Sequence, residues 1–516
     1  MKIVCLLFAA GICAVAQGLN PAALLKPPTN TWPTYNGDYS GRRYSTLKQI
    51  NSGNVGSLAL AWAFQERAAP LKCTPLEVNG ILYLSAPDNV WAVDARTGRE
   101  IWHFNRPSQG DHLASRGVAM YKDRLYFGTP DAHLICLDAR SGKVIWDKQI
   151  ADVKFGYYLA LAPLVVKNKI IIGTSGDSSD VRHFIEALDP KTGKIIWRWY
   201  STPAPGSPAA RTWPNTQALL HGGGPAWLTG TYDPELNLIY WGTGNPHPVL
   251  AGTGRAGANL YTCTIVALNA DTGKLVWYYQ TSPHDTHDWD SVETPVLFDA
   301  DFDGKPRKLL AQAARNGYFF LLDRTNGKHL LTAPFVPTNW ALRLNAKGQP
   351  VPNPKMEPQP DGSLVEAGPT GATNWNAPSY DPQTQLFYVN GHTGFTAFYL
   401  TLGPNGKPEG HQGGAETPLI SRAFLEAIDY RTGKIRWWRR EEFASGHPGI
   451  LTTAGHLLIT ADVTGNILAL APATGKALWH VYAGGPMNSS PMTYELDGRQ
   501  YILTAVDRVL YAWALP

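Results

Sequence analysis

Between Gly222 and Arg324 the sequence gathers side chains that can hold ions or move protons. The run SPHDTHDWD (Ser282–Asp290) contains His284, Asp285, His287, Asp288 and Asp290. Carboxylates at alternate positions, as in Asp288 and Asp290, repel each other unless a cation lies between them. YWGTGNPHP (Tyr240–Pro248) sets Asn245 at the tight end of a strand. Two carboxylates and its amide oxygen make a hard oxygen site, suited to Ca²⁺ or a larger trivalent ion. His284 and His287 alternatively offer Zn²⁺ two nitrogens, without a Cys or third His at a suitable spacing. The same run also reads as a plain solvated acidic turn. GGGPAWLTGTYDP (Gly222–Pro234) brings Trp227 after glycines that permit close backbone approach. AARNGYFFLLDR (Ala313–Arg324) sets Arg315 before an Asn-Gly turn and a strand that reads as buried.

A repeat must position these groups. WAVDARTGREIW (Trp91–Trp102) returns as ICLDARSGKVIW (Ile135–Trp146) and EALDPKTGKIIW (Glu186–Trp197). It recurs at Val266–Trp277, Glu426–Trp437 and Leu468–Trp479, and without the Trp at Phe320–Leu331. Each phrase is an apolar strand, a polar turn with Gly, and a second strand with a large aromatic, which is a β-hairpin. A hairpin cannot bury its own face, so copies must stack. The reading is an all-β, eight-bladed β-propeller with four-stranded blades and tryptophan-docking motifs. Seven phrases mark seven blades; the eighth pairs a strand near Leu58–Phe64 with strands near Tyr501–Leu515. Three insertions break the rhythm: Ser201–Gly224, Pro334–Gly371 and Leu402–Ser421. In a propeller such insertions gather on one face and can roof the axis.

Length and composition bound the rest. The chain has 516 residues, but repeats make one closed domain, here 17–516, rather than about three domains. Lys2, the apolar run Ile3–Ala10 and Ala14-Val15-Ala16 read as a signal peptide, 1–16, and export to the periplasm. No apolar segment long enough to span a membrane follows it. Cys73, Cys136 and Cys263 remain after the leader, an odd number that reads as buried thiols. No Cys-x-x-Cys-His occurs, so the chain carries no covalent c-type haem site. A net charge of +4 is no nucleic-acid footprint.

With these motifs in this order, the chain resembles the pyrroloquinoline-quinone (PQQ) alcohol and methanol dehydrogenases, from Thr31–Asn51 to the C-terminus. The resemblance implies PQQ and one metal ion on the propeller axis. Trp227 matches the floor under the quinone, Asn245 a metal ligand, and Asp288 the catalytic base and metal neighbour. Arg315 matches the residue that hydrogen-bonds the reactive quinone oxygen. Asp290 matches the extra carboxylate of the lanthanide-using branch, which implies a lanthanide in preference to Ca²⁺. Asn374 and Trp375 in GATNWN, with GILTTAG (Gly449–Gly455), resemble segments closing the site. Arg116, Ser175 and Lys72 resemble contacts to the PQQ carboxylates.

The chain departs from the family in places. Ser178 stands where the family has a metal-binding Glu, leaving Asp177 or Asp180 to substitute. Gly110-Asp111 replaces a vicinal cysteine pair, and His287 replaces a Trp. The implied activity is oxidation of an alcohol to an aldehyde, with electrons passed to a separate acceptor such as a cytochrome c. The competing readings are a non-catalytic scaffold or sensor propeller, and a decayed family member.

Overall fold

Each repeat phrase folds as the hairpin between the third and fourth strands of a sheet, and its residue types explain the turn. Asp94 Oδ1 accepts from the backbone N–H of Arg96 at 2.9 Å and of Thr97 at 3.1 Å. Asp138, Asp189 and Asn269 cap their turns the same way. Gly98 follows at φ +72, the left-handed region open to glycine. The register then slips, with Val93 opposite Glu100 and Ala92 opposite Trp102, forming a bulge.

The aromatic after the bulge docks on the next blade. Trp102 Nε1 donates to Ala139 O at 3.1 Å, and a Cβ on Gly142 would lie 2.6 Å from its ring. Trp197 repeats this on Ala270 O and Gly273, Trp277 on Arg324 O and Gly327, and Trp437 on Pro472 O and Gly475. The conserved shape of the phrase therefore serves two blades: its Gly seats the indole of the blade before.

The computed structural model describes residues 18–110, 114–176, 180–367, 370–410, 412–441 and 448–516. The predicted leader, Asp177 and Ser178 lie outside them. The described strands form eight sheets of four or five strands and one two-stranded ribbon. The first blade is Leu76–Val78, Ile81–Ala86, Asn89–Asp94 and Glu100–Asn105. Blades two to five repeat that antiparallel order, from Ala119–Tyr121 to Lys328–Pro334. Blade six is built on a long hairpin, Leu386–Leu400 with Gly414–Asp429. Blade seven runs from Leu451–Thr453 to Ala477–Tyr482. Blade eight closes as predicted: Ala59–Gln65 pairs antiparallel with Val509–Ala514, beside Arg499–Val506 and Met492–Leu496.

The seam between blades five and six differs, because Leu331 stands where the docking Trp would. There Phe298 stacks on Tyr380 at 3.9 Å, and the Tyr430 hydroxyl donates to Asp301 O at 3.0 Å. Cys73, Cys136 and Cys263 are buried free thiols, as expected. The first insertion contains the helix Thr216–Leu220, the second the ribbon Ala341–Leu344 with Pro350–Pro352, and the third extends the long hairpin of blade six.

The turns between first and second strands and the phrase turns share one end, the base. A Cβ on Gly80 would lie 2.9 Å from Arg96 of a phrase turn and 3.6 Å from Leu496 of blade eight. Residues 31–45 plug the axis from that side. Tyr232 N donates to Tyr39 O, Leu297 N to Ser40 O, Tyr380 N to Arg42 O and Thr452 N to Arg43 O. Arg43 is fully buried and donates to the carbonyls of Tyr35, Ile450 and Pro491. Burial lowers its pKa to about 10.

Gly273 and Gly304 separate docking from backbone strain. Both have positive φ, +67 and +70, but a Cβ on Gly273 meets Trp197 at 2.5 Å while Gly304 faces open space. Gly304→Ala is expected to lower stability by the strain alone, about 1–3 kcal/mol. Gly273→Ala should lower it further by unseating Trp197. Equal losses in thermal unfolding would show that the indole seat contributes nothing.

Candidate active site

The site lies at the other end of the axis, where inner strands begin. Trp227 comes just before the inner strand of blade four, and Trp375 just before that of blade six. Asp290 is the hub. It is fully buried; Oδ1 accepts from Asn245 N at 2.6 Å and Oδ2 from Trp227 Nε1 at 2.7 Å. Arg315 Nη1 reaches the same Oδ2 at 3.3 Å, while Nη2 holds Asp288 Oδ2 at 2.6 Å. Burial pushes Asp290 up in pKa, and Arg315, Trp227 and the Asn245 N–H oppose it. Burial alone would pull Arg315 down, but Asp288, Asp290 and Glu293 outweigh it and raise its pKa. The guanidinium therefore stays charged between the two carboxylates.

Local backbone explains how Asp288 is presented. It sits at φ +65, uncommon for a side-chain-bearing residue and found at functional turns. The turn is held by Asp285, whose two oxygens accept from His287 N and Trp289 N, both at 3.1 Å. Burial pushes Asp285 up to about 6, although Arg255 pulls the other way. His287 stacks on Trp289 at 5.6 Å and bonds Met356 O through Nε2 at 2.7 Å. His284 Nδ1 meets Gly257 O at 2.8 Å. Both imidazoles are thus turned to backbone carbonyls, and no cluster of three or more His, Cys, Asp or Glu suited to a metal occurs among the described residues. The Zn²⁺ alternative and the solvated-turn reading are both set aside by this burial and bonding.

Two cations lie beside the indoles of Trp227 and Trp375. The Arg116 guanidinium lies 4.8 Å from the Trp227 ring centroid and 5.7 Å from that of Trp375; Lys72 Nζ is 5.7 Å from Trp375. Burial lowers the Lys72 pKa, with Arg116 adding to it, so an anion between them would relieve both. Ser175 Oγ is buried with no hydrogen-bond partner among the described residues, an atom a polar ligand would satisfy. Asn374 Nδ2 and Arg315 Nε share Thr370 O, at 3.0 and 2.9 Å. Gly371 makes room for this, since a Cβ there would collide with the Arg315 side chain.

The structure therefore joins Trp227, Asn245, Asp288, Asp290 and Arg315 in one bonded network. Arg116, Lys72 and Trp375 stand around the same floor, and Asn374 is tied in through Thr370. Asp180 does not substitute for the missing Glu: it pairs with His221 at 3.0 Å and its side chain is 57% exposed.

Sequence reasoning missed Glu293. Its carboxyl is buried and neither oxygen has a hydrogen-bond partner among the described residues. Burial pushes its pKa well up, and Asp290 adds to this. Gln312 Nε2 fixes its backbone by donating to Glu293 O at 2.6 Å. The signal that finds it is a second repeat. Inner strands open on Cys73-Thr74-Pro75, Leu161-Ala162-Pro163, Asn376-Ala377-Pro378 and Ser489-Ser490-Pro491. Glu293-Thr294-Pro295 puts a carboxyl where those have neutral side chains.

The chain is similar to known proteins over most of its length. The family model described as PQQ: glucose/ethanol/alcohol dehydrogenase, beta-propeller domain, matches residues 32–359 and 423–502. A quinohemoprotein alcohol dehydrogenase of Comamonas testosteroni is 38% identical, over 93% of this chain and 73% of its own length. The solved structure of the Comamonas testosteroni quinohemoprotein alcohol dehydrogenase matches with a TM-score of 0.89 and 34% identity, over 96% of this chain and 82% of that one. A europium-containing methanol dehydrogenase matches with a TM-score of 0.85 and 29% identity, over 95% and 99%.

Asp285 gives a pH test. Its pKa is raised from 3.8 unfolded to about 6 folded, so the folded state binds the proton more tightly in between. Its contribution to stability is present below about pH 4 and is lost as pH rises through about 6. Urea unfolding of the parent and of Asp285→Asn from pH 4 to 7 should show the parent losing stability relative to the variant across that window. Parallel curves would mean that Asp285 titrates normally.

Proposed function

Because the chain belongs to the PQQ-dependent alcohol dehydrogenase family, we propose that Asp288, Arg315 and Trp227 carry the oxidation of an alcohol to its aldehyde in this protein. The observation that carries the reading is the Arg315 guanidinium held between Asp288 and Asp290, with Trp227 bonded to the same Asp290. That buried polar network argues against a bare scaffold propeller, whose blades need no such charges.

Bound PQQ supplies the hydride acceptor. Trp227 offers its indole face as the floor, fixed in rotation by its bond to Asp290. Arg116 and Lys72 neutralise carboxylates at the ligand's edge, and Ser175 Oγ and Asn374 add hydrogen bonds. Asp288 takes the hydroxyl proton of the alcohol on Oδ1, because Arg315 holds Oδ2. The same guanidinium points its positive charge to where negative charge develops on oxygen. The carbinol hydride leaves as that proton does, so alcohol becomes aldehyde with two electrons to pass on. Those electrons then pass to a separate acceptor, for which a cytochrome c is the proposed class. Export to the periplasm by the leader 1–16 completes the proposal, with 17–516 as the one working domain.

The donor set of Asn245 amide, Asp288 and Asp290 suits one hard cation, which would share the carboxylates that Arg315 now neutralises. Asp290 adds the second carboxylate that favours a trivalent lanthanide over Ca²⁺, and Asp177 would supply a further oxygen.

Two outcomes are expected. Asp288→Asn should abolish alcohol turnover by at least about a hundredfold while PQQ still binds, read from its absorbance and from quenching of tryptophan fluorescence. Parental turnover in that variant would remove Asp288 as the base. Metal-free protein given PQQ should oxidise alcohols with La³⁺ and an artificial acceptor. Activity with Ca²⁺ alone would refute the lanthanide preference.

A further inference from the structure

The base of the propeller carries an exposed surface that the active site does not use. Every phrase places a cation after its Gly, as in Lys143 and Lys194. In blades two and three that cation is followed by two exposed aliphatic residues, before the docking Trp turns inward. Val144 and Ile145 are 50% and 42% exposed, and Ile195 and Ile196 are 47% and 45% exposed. The two blades hold these pairs side by side, because Trp146 of blade two seats on Gly193 of blade three.

Further cations crowd the same corner. Lys122, Arg124, Arg140 and Lys191 join Lys143 and Lys194 there, against Asp123, Asp138 and Asp189. Asp138 and Asp189 already serve as turn caps. Arg124 Nη1 donates to Lys191 O at 3.2 Å, which fixes the turn of one blade to that of the next. These turns set six cations against three carboxylates. The described chain also starts here: Leu19 N donates to Lys122 O at 2.9 Å.

We propose that the base corner of blades two and three docks on a bilayer of anionic phospholipid. Its cations meet the headgroup phosphates while Val144, Ile145, Ile195 and Ile196 enter the headgroup–acyl boundary. Cations beside exposed aliphatics are the chemistry of interfacial binding, in which each Lys or Arg adds a salt-screened increment. The axis then opens away from the lipid, leaving the mouth clear for the alcohol and the electron acceptor.

The test is co-sedimentation of the exported protein, its N-terminus read by mass spectrometry, with two kinds of vesicle. One is phosphatidylcholine alone and the other contains phosphatidylglycerol. Binding to the second only is expected, falling with added salt. Lys143→Glu with Lys194→Glu should weaken it by roughly thirtyfold or more. Ile145→Ser with Ile196→Ser should weaken it at unchanged charge. PQQ-dependent alcohol oxidation and thermal unfolding should match the parent in both variants. No binding to phosphatidylglycerol vesicles, equal binding to neutral ones, or parental binding by both variants would overturn the proposal. Retention of an acidic soluble protein in place of vesicles would assign the surface to another partner and overturn it as well.

Discussion

The packing of an indole on a glycine of the neighbouring blade is the contact on which the rest depends. A Cβ at Gly98, Gly142, Gly273, Gly327 or Gly475 would lie within 2.7 Å of an indole carbon. The same glycines hold positive φ for the turn and bulge. One residue type therefore fixes both the hairpin and its neighbour's position. Repeated at most seams, this contact sets each blade against the next, and strand Ala59–Gln65 closes the ring by pairing with the C-terminal strand Val509–Ala514. A ring so closed sets the starts of eight inner strands around one axis. Residues distant in sequence, such as Lys72, Arg116, Trp227 and Trp375, meet there without any loop having to find another.

The active site spends that rigidity on buried charge. Two carboxylates and a guanidinium in a buried setting are costly unless each is compensated. Asp290 is compensated three times, by Arg315, Trp227 and the Asn245 amide. Those three bonds also fix Trp227, Asn245 and Arg315 relative to one another. Arg315 in turn bridges Asp288 and Asp290, so the positions of the two carboxylates depend on one guanidinium. Glu293 adds a further carboxyl to this balance, and its raised pKa is the expected response to burial beside Asp290.

The hairpins, the blade count and the closing strand were legible because their causes are local: a cap, a glycine, an aromatic, a period. Asp288, Asp290, Asn245 and Arg315 were legible as a set because their types and order carry chemistry. The bonding of Asp290 was not legible. Both its oxygens accept protein hydrogen bonds, from partners that lie 45 and 63 residues away. Asp180 looked equally available, and only the fold shows it paired with His221. Glu293 was hidden for another reason. Its register repeats only as an x-Thr/Ala/Ser-Pro pattern at inner strands, weaker than the docking phrase. The seam of blades five and six was half legible: the missing Trp at Leu331 marks it, but its replacement by Phe298, Tyr380 and Tyr430 comes from three separate strands or turns.

The two ends of the axis obey opposite rules because the same strands reach them differently. Inner strands start at the mouth, where buried side chains such as Asp290, Glu293, Arg116 and Arg315 converge. Charge there must be matched pair by pair, and the match is what can orient a ligand. Phrase turns meet at the base, spread on a wide rim in water, where a Lys after each Gly costs little and is screened. A sequence repeat can therefore accumulate cations at the base without destabilising the fold. It cannot do so at the mouth, where Asp290 and Glu293 have to be balanced against Arg315, Arg116 and Lys72. Variation in the repeat is thus free to change what the base adheres to, while the mouth changes only by compensated exchange.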